Sequence, residues 1–464
     1  MGLLDRLLEN LPEVASPSQK RLGFKEKLKW TLLMLVLFYA LSLVPLFGLG
    51  ANALQQFEFL SVILGASFGS ILSLGIGPLV TASIVLQLLN GSGILKFDLT
   101  SKEGRKRFQE IQKVGSLFFI VFEAAIYVLM SGLAPAPELQ GTPAFVSLQM
   151  LLILQLCLGG ILVMFMDQVV TKWGFGSGIS LFIAGGVAQS VFIRAFSPLA
   201  SPTNPTIATG AIPALFQSLA AQDPQTALLE LAAVIATVAV FMLAVYVQAM
   251  KVEIPLSFGR VRGHGIRWPL SFVYTSNIPV ILVAALLANL QLFARLFANW
   301  GFPLLGTYAG NQPASGLVAW LTPIDVVRGA ITGGLRGMDL VHTLAYLVFL
   351  IVGAVVFSWF WVQTSGMDPR SQAKQIMSSG LQIPGFRKDE RVLERILSRY
   401  VYPLTVMGAI TVGILAGLAD VSGALTNGTG LLLTVMIIYK LYEDIARQHL
   451  VDMNPLMRKF MGAE

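Results

Sequence analysis

The sequence predicts an all-α integral membrane protein with ten transmembrane helices, and two observations carry this prediction. Of its 464 residues, 55% are hydrophobic and only 12% are charged, whereas soluble domains carry about 25% charged residues. Ten apolar stretches also approach or exceed the roughly 20 residues that cross a bilayer. Because lipid cannot satisfy backbone polar groups, each stretch is expected to be helical.

The spans are separated by charged or Gly- and Pro-rich segments. We place them near residues 28–48, 73–91, 113–132, 145–166, 177–194, 227–249, 271–296, 339–362, 400–419 and 428–446. Ahead of them, Leu3, Leu7 and Leu11 recur at helical spacing among acidic residues. This pattern predicts an amphipathic interfacial helix and not a cleavable signal peptide.

The second span is preceded by a short apolar piece at about residues 55–70. This piece is too short to cross a bilayer, and Gly65 and Gly69 each lower its helix stability by about 1 kcal/mol. Gly75 and Pro78 then mark the start of the following span. We therefore expect two elements here instead of one interrupted helix.

The orientation follows from the distribution of Lys and Arg between the spans. Of the 32 basic residues, 28 lie in the amino-terminal segment, in the tail and in the loops that follow the even-numbered spans. Basic residues are retained on the cytoplasmic side of membranes. Both termini are therefore expected to be cytoplasmic, in a plasma membrane protein.

The chemical inventory of the sequence is small, and we expect no cofactor, no metal and no catalytic residue. The single cysteine, Cys157, lies within a span, and the three histidines lack zinc-type spacing. The run GFGSGIS at 174–180 matches no phosphate-binding pattern. An intramembrane serine protease would need a serine and a basic partner, and Ser177 with His342 is the candidate pair. The alternative is that such hydroxyl residues only pack and form hydrogen bonds between helices.

Glu123 is an acidic residue in the middle of the third span. Ionisable residues in spans are costly and commonly functional. One interpretation is a proton or sodium site of a transporter, and the other is a carboxyl group hydrogen-bonded to a neighbouring helix. Thr81, Gln87, Asn289 and Gln291 are the candidate partners.

Two basic loops, at about residues 250–270 and 363–399, are long and rich in turn formers. They are either solvated positive-inside loops or a docking surface for a polyanion such as a ribosome. The candidate docking residues are Arg260, Arg262, Arg370, Lys374, Arg387 and Lys388.

Five segments together resemble the SecY-type protein-conducting channels, in their archaeal and eukaryotic branch. They are LGIGPLVTASIVLQLL (74–89), GFGSGISLFIAGGV (174–187), SNIPVIL (276–282), IPGFR (383–387) and NGTGLLLTV (427–435). The resemblance extends over essentially the whole chain. It implies a passive channel, driven by a partner, that moves unfolded secretory polypeptides across the membrane and releases membrane segments into lipid.

The resemblance also implies an architecture of two pseudo-symmetric five-helix halves around an hourglass pore. The implied divisions are an amino-terminal segment (1–27), a first half (28–194), an external hinge loop (195–226), a second half (227–447) and a cytoplasmic tail (448–464).

Site residues are assigned by the same resemblance. The pore ring is expected at Ile76, Val80, Ile179, Ile183, Ile281 and Leu433, and the lateral gate at Thr81, Glu123 and Asn289. The plug is expected at Phe57, Glu58, Phe59, Leu60, Ser61, Val62, Ile63, Leu64, Gly65, Ala66 and Ser67.

The expected partners are a SecE-type clamp subunit, a small single-span SecG/Sec-beta-type subunit, a ribosome, signal-bearing polypeptides and membrane lipid. Two other classes of protein remain as alternatives. An ion-coupled transporter would also have broken helices and repeated halves, but it would need acidic residues at the interruption near Gly75, which the sequence lacks. A passive membrane scaffold would show no change in ion leak when residues 55–70 are deleted.

Overall fold

The predicted helical fold class is confirmed by the computed structural model. The structure describes residues 12–19, 22–50, 69–91, 94–95, 97, 102–129, 133–199, 207–258, 265–276, 278–299, 302–309, 312–378, 381–382 and 389–453. The plug at 57–67 and the amphipathic helix around Leu3, Leu7 and Leu11 lie outside these residues. Both stay predictions.

Long helices account for most of the described residues. The helices are α1 (Phe24–Ser42), α2 (Gly77–Gly91), α3 (Lys102–Leu129), α4 (Pro143–Trp173), α5 (Gly178–Phe196), α6 (Ala211–Ala220), α7 (Pro224–Ala249), α8 (Ile278–Asn299), α9 (Gly316–Trp320), α10 (Val326–Ile331), α11 (Gly337–Thr364), α12 (Pro369–Ser378), α13 (Glu390–Val421) and α14 (Gly428–Met453). The strands are β1 (Lys251–Phe258), β2 (Gly265–Ser271), β3 (Tyr308–Ala309), β4 (Gln312–Pro313) and β5 (Leu381–Gln382).

Each predicted span corresponds to one helix. The helices in order are α1 to α5, α7, α8, α11, α13 and α14. Among the described residues, six helices are long and apolar enough to cross a membrane: α3, α4, α5, α7, α11 and α13. Helix α2 and the start of α8 are apolar but shorter. The chain is therefore a multi-pass membrane protein.

The helix boundaries differ from the prediction where polar residues continue an apolar helix. Helix α3 begins at Lys102, whereas the predicted third span begins near 113, and α13 begins at Glu390, whereas the predicted ninth span begins near 400. In α13, Leu393, Leu397 and Val401 are buried at four-residue spacing. This spacing favours one continuous helix, but the charged residues between them lower its mean hydropathy.

The chain divides into two compact units. The first comprises residues 1–189 and 437–464, and the second comprises residues 190–436.

In the first unit, a chain of tight turns leads into α2. Ile71 N donates to the Val44 carbonyl at 2.9 Å, and Gly75 adopts a φ of +53°, which favours glycine. Helix α4 passes so close to these turns that a Cβ on Gly159 would collide with the carbonyl of Ile71. The start of α2 is therefore fixed against the middle of α4.

The amino-terminal segment of the first unit binds to the end of α4. Lys172 forms an ion pair with Glu13 at 2.6 Å, and Lys113 of α3 approaches the same carboxylate at 3.2 Å. Trp173 Nε1 donates to the Ala15 carbonyl at 2.9 Å. The hydrogen bond from Lys172 is the largest effect on Glu13 and holds the pKa of this carboxyl below its usual value. Glu13 thus links the end of α4 to the charged half of α3.

In the second unit, one apolar core joins α7, α8, α11, α13 and the start of α14. Its centre includes Ala354 and Ala416, which are fully buried, and Leu350 and Val412, which are nearly so. Asp223 caps the start of α7, where its side chain accepts a hydrogen bond from Thr226 N at 3.3 Å, and proline is the first residue of the helix. Both features are typical helix starts.

The two basic loops of the second unit contain regular structure, whereas the sequence predicted only turns. Strands β1 and β2 form an antiparallel hairpin with Lys251 opposite Ser271, and β5 adds to the other edge of β1 with Leu381 opposite Phe258. The sheet packs against α12 and α13 through a buried cluster that includes Ile254 and Ile376. The alternating buried and exposed residues of β1 are too few to stand out in a hydropathy pattern.

Candidate functional site

Four of the predicted pore-ring residues lie in the first unit. Ile76 ends the turn before α2 and is 1% exposed, and Val80 lies in the first turns of α2 with partial exposure. Ile183 is buried in α5, and Ile179 packs on a cluster formed by Leu79 and its neighbours. Within this unit, the starts of α2 and α5 thus carry the expected aliphatic side chains.

The other two ring residues lie in the second unit. Ile281 is partly buried in the first turns of α8, and Leu433 is 4% exposed in the second turn of α14. All six ring residues are therefore at or near the amino-terminal end of an apolar helix. Their assignment to a pore stays a prediction.

The predicted gate residues Thr81 and Glu123 are brought together. Their side chains approach each other between α2 and α3, and both are partly buried. The hydroxyl of Thr81 donates its single proton to the Gly77 carbonyl at 2.9 Å. Gln87 donates instead to Ser83 Oγ at 3.1 Å within its own helix.

The other two candidate partners of Glu123, Asn289 and Gln291, lie in α8. The side chain of Asn289 is outside the described part of the chain. The backbone carbonyl of Gln291 accepts from Tyr308 Oη at 3.0 Å. Of the candidate partners, Thr81 is thus the one shown to contact Glu123.

Two of the predicted docking residues are described, and both lie on α12. The side chains of Arg370 and Lys374 are 68% and 57% exposed, and each lies 3.9 Å from the Glu390 carboxylate. Arg260, Arg262, Arg387 and Lys388 lie outside the described residues. Strands β1 and β2 flank the segment of Arg260 and Arg262, β5 precedes the segment of Arg387 and Lys388, and the end of β1 is paired with β5.

The two residues of the alternative protease pair, Ser177 and His342, have different environments. His342 Nε2 contacts the Ala319 carbonyl, and its ring lies 5.3 Å from that of Trp320. Ser177 is exposed just before α5. Among the described residues, no group of three His, Cys, Asp or Glu residues is arranged to hold a metal ion.

Two acidic residues that are not among the predicted site residues contact the starts of helices. Asp167 Oδ1 accepts from Ile179 N at 2.8 Å, and Asp420 Oδ1 accepts from Gly428 N at 2.7 Å. Each residue lies one position beyond a predicted span, so both were assigned to loops. A search for acids in the last two turns of long helices would have found them.

Comparison with known proteins gives a consistent result. The SecY family model matches residues 70–442. The protein translocase subunit SecY of Methanothermobacter thermautotrophicus is 46% identical over 461 residues, which are 98% of each chain.

Two solved structures are similar over nearly the full length. One is a SecY protein whose plug domain stabilises the closed state of the translocation channel and maintains a membrane seal; it is 40% identical, with a TM-score of 0.80, and the match covers 98% of this chain and 99% of that one. The other is Sec61 in the canine ribosome-channel complex of the endoplasmic reticulum, which is 39% identical, with a TM-score of 0.78 and the same coverage.

Proposed function

This chain belongs to the SecY family of protein translocase subunits, and from this premise we propose that it is the central, pore-forming subunit of a translocase. It conducts unfolded secretory polypeptides across the membrane and releases transmembrane segments into lipid. The observation that carries the proposal is the 46% identity to a translocase subunit over nearly the whole length of both chains. The ion-coupled transporter is not favoured by any observed site.

The proposed constriction is the set of six aliphatic residues named above. A channel for unfolded chains must pass every type of side chain, so it cannot offer charged groups that would retain some of them. A narrow apolar ring binds none of them strongly and dewets when it is empty, which hinders ions. The support from the structure is that each of the six lies at or near the start of a helix.

The proposed lateral gate opens beside α2 and α3. The polar contact between Thr81 and Glu123 joins these two helices into one edge of the gate. It therefore stabilises the edge itself, and Asn289 on α8 is the proposed polar contact on the opposite side. Interhelical hydrogen bonds in membranes are weak, which suits a gate that a hydrophobic signal segment must part.

The proposed plug is the segment 57–67, which closes the resting channel. Support comes from the similar SecY structure in which a plug domain maintains a membrane seal. The described residues that follow the segment, from Gly69 to Ile76, are held in turns against α4. The segment would thus be attached to a fixed point at its carboxyl end.

A ribosome is the proposed partner of the basic loops. The similar Sec61 channel is part of a ribosome-channel complex. In this chain, Arg370 and Lys374 are exposed on α12, the segment that carries Arg260 lies between the paired strands β1 and β2, and the segment that carries Arg387 follows β5. Several cations on one surface favour binding to a phosphate backbone.

The remaining parts of the proposal concern assembly, membrane and energy source. We place the protein in the plasma membrane with both termini cytoplasmic, because the basic residues concentrate in the termini and in the loops that follow the even-numbered spans. SecE-type and SecG/Sec-beta-type subunits are the proposed membrane partners. The chain itself is not an enzyme, and a partner such as a translating ribosome drives transport.

Crosslinking tests the proposed path directly. A stalled, signal-bearing nascent chain should crosslink to cysteines placed by Ile76→Cys and Ile281→Cys, in a chain whose native Cys157 is replaced by serine. A matched control is Leu154→Cys on α4, where the side chain is 59% exposed on a helix flank. Crosslinks at Ile76 and Ile281 but not at Leu154 are expected. Equal labelling at all three positions, or none at the first two, would refute the pore assignment.

A further inference from the structure

Helices α5 and α14 begin in a similar way in their respective units. Each follows a glycine-containing link after a long helix, GFGS after α4 and SGALTN after α13. Each also carries proposed ring residues within its first two turns: Ile179 and Ile183 on α5, and Leu433 on α14. The position of these side chains therefore depends on where each helix begins.

In the first unit, Asp167 of α4 holds the first turn of α5. Its Oδ1 accepts a hydrogen bond from Ile179 N at 2.8 Å. A Cβ on Gly178 would lie 2.6 Å from the Cα of Asp167, so glycine is needed for this close approach. The residue held by the aspartate, Ile179, is itself a proposed ring residue.

In the second unit, Asp420 of α13 holds the first turn of α14. Its Oδ1 accepts from Gly428 N at 2.7 Å, and its Oδ2 accepts from Tyr346 Oη of α11 at 2.8 Å. A Cβ on Gly428 would collide with the carbonyl of Ala416. The carboxylate thus links the start of α14 to two helices of the core.

The two arrangements share one physical reason. The first amides of a helix have no partner inside the helix, and within a membrane few other groups can accept from them. A carboxylate at this end satisfies the amides and interacts favourably with the helix dipole. Because the carboxylate belongs to a neighbouring helix, it also fixes the helix start in position and rotation.

We propose that Asp167 and Asp420 are positioning residues that set the pore-lining side chains of α5 and α14 through contacts with the first amides of these helices. The proposal rests on the proposed channel function. It predicts that these carboxylates control closure of the resting pore, and not only the stability of the fold.

The test compares ion conductance with stability in the full chain, purified with its copurifying subunits and reconstituted in planar bilayers. Asp420→Ala and Asp167→Ala should each raise resting conductance about tenfold, the factor expected when a hydrogen bond to a charged group is lost. Asp420→Asn and Asp167→Asn keep a carbonyl oxygen at the same place, so these variants should stay near the wild-type conductance.

A matched control separates pore positioning from general destabilisation. Ser358→Ala removes a buried hydrogen bond to Thr275 of 2.8 Å on α11, about three turns along the helix from Tyr346. It should lower the unfolding temperature and leave conductance unchanged. If the alanine variants behave like Ser358→Ala, or if the asparagine variants conduct as much as the alanine variants, the positioning role is refuted.

Two further measurements keep the outcomes distinct. If Asp420→Ala does not fold, Tyr346→Phe removes only the second contact of this carboxylate and should raise conductance to a smaller extent; wild-type conductance in that variant would refute the role of Asp420. Deletion of 57–67 is the reference for the channel itself. If this deletion does not conduct, the proposed function fails, whatever the aspartate variants do.

Discussion

Replacement of the gate-edge pair Thr81 and Glu123 should lower the hydrophobicity that a segment needs to enter the lipid. Glu123→Leu and Thr81→Val each remove the polar contact between α2 and α3. Measured hydrogen bonds between membrane helices average about 0.6 kcal/mol and reach about 1.7 kcal/mol. A leucine at the centre of a segment contributes about 0.5 kcal/mol to insertion. The threshold should therefore fall by about one to three leucines.

The assay is the fraction of model segments integrated as alanines are replaced stepwise by leucines. A double-mutant cycle assigns the effect to the pair, because the combined variant should show no more than the larger single effect. Glu123→Gln is the matched control, since the amide retains hydrogen-bonding capacity and should leave the threshold unchanged.

The same cycle with Asn289→Leu tests the opposite side of the gate. If Asn289 acts through Glu123, the two effects should be non-additive; if each stabilises its own edge, the effects should add. An unchanged threshold in both Glu123→Leu and Thr81→Val would refute the reasoning, because the one described interhelical contact of Glu123 would then have no bearing on gating.

Three further outcomes are expected. Deletion of 57–67 should raise ion leak through the resting channel in planar bilayers, and a scaffold without a pore would show no change. Arg387→Glu should weaken ribosome binding and reduce its salt dependence. The control Arg336→Glu lies in a loop predicted to be external and should bind ribosomes like the wild type. Equal loss of binding in both variants would contradict docking at the loop that carries Arg387. Glu13→Gln should weaken protection of the amino-terminal segment from protease at pH 7 by an amount below about 1 kcal/mol, because the carboxylate is half exposed. The hydrogen bond from Lys172 lowers the pKa of Glu13 and outweighs burial, which would raise it. The ionised carboxylate therefore stabilises the bound segment above pH 4.5, and this stabilisation is lost as the pH falls through the folded-state pKa. Identical protection at pH 7 and pH 3 would argue against this ion pair.

The span count and the chemical class could be predicted from sequence because each rests on local composition. An apolar stretch of sufficient length must be helical in lipid wherever the rest of the chain lies. Glu123 could be singled out for the same reason, since an acid among Phe and Ile residues is costly in any fold. The start of α2 after Gly75 also followed from local backbone chemistry, as the φ of this glycine shows.

The partners of these residues depended on tertiary structure. Thr81 and Gln87 were equal candidates for Glu123 in sequence, and only the packing of α2 on α3 brought Thr81 to it. The sheet of β1, β2 and β5 joins segments more than a hundred residues apart, and no local pattern records such pairing.

Composition by itself determined that this protein lies in a membrane, with ten helices and an acid that needs a partner. Tertiary structure alone decided which groups meet, and Asp167 and Asp420 illustrate the difference. Each follows a predicted span in sequence and resembles a solvated loop residue. Each is functional in our proposal because a neighbouring helix begins within hydrogen-bonding distance of it. Sequence determines the solvent that each segment requires, whereas only the packed chain determines the distance between two polar groups.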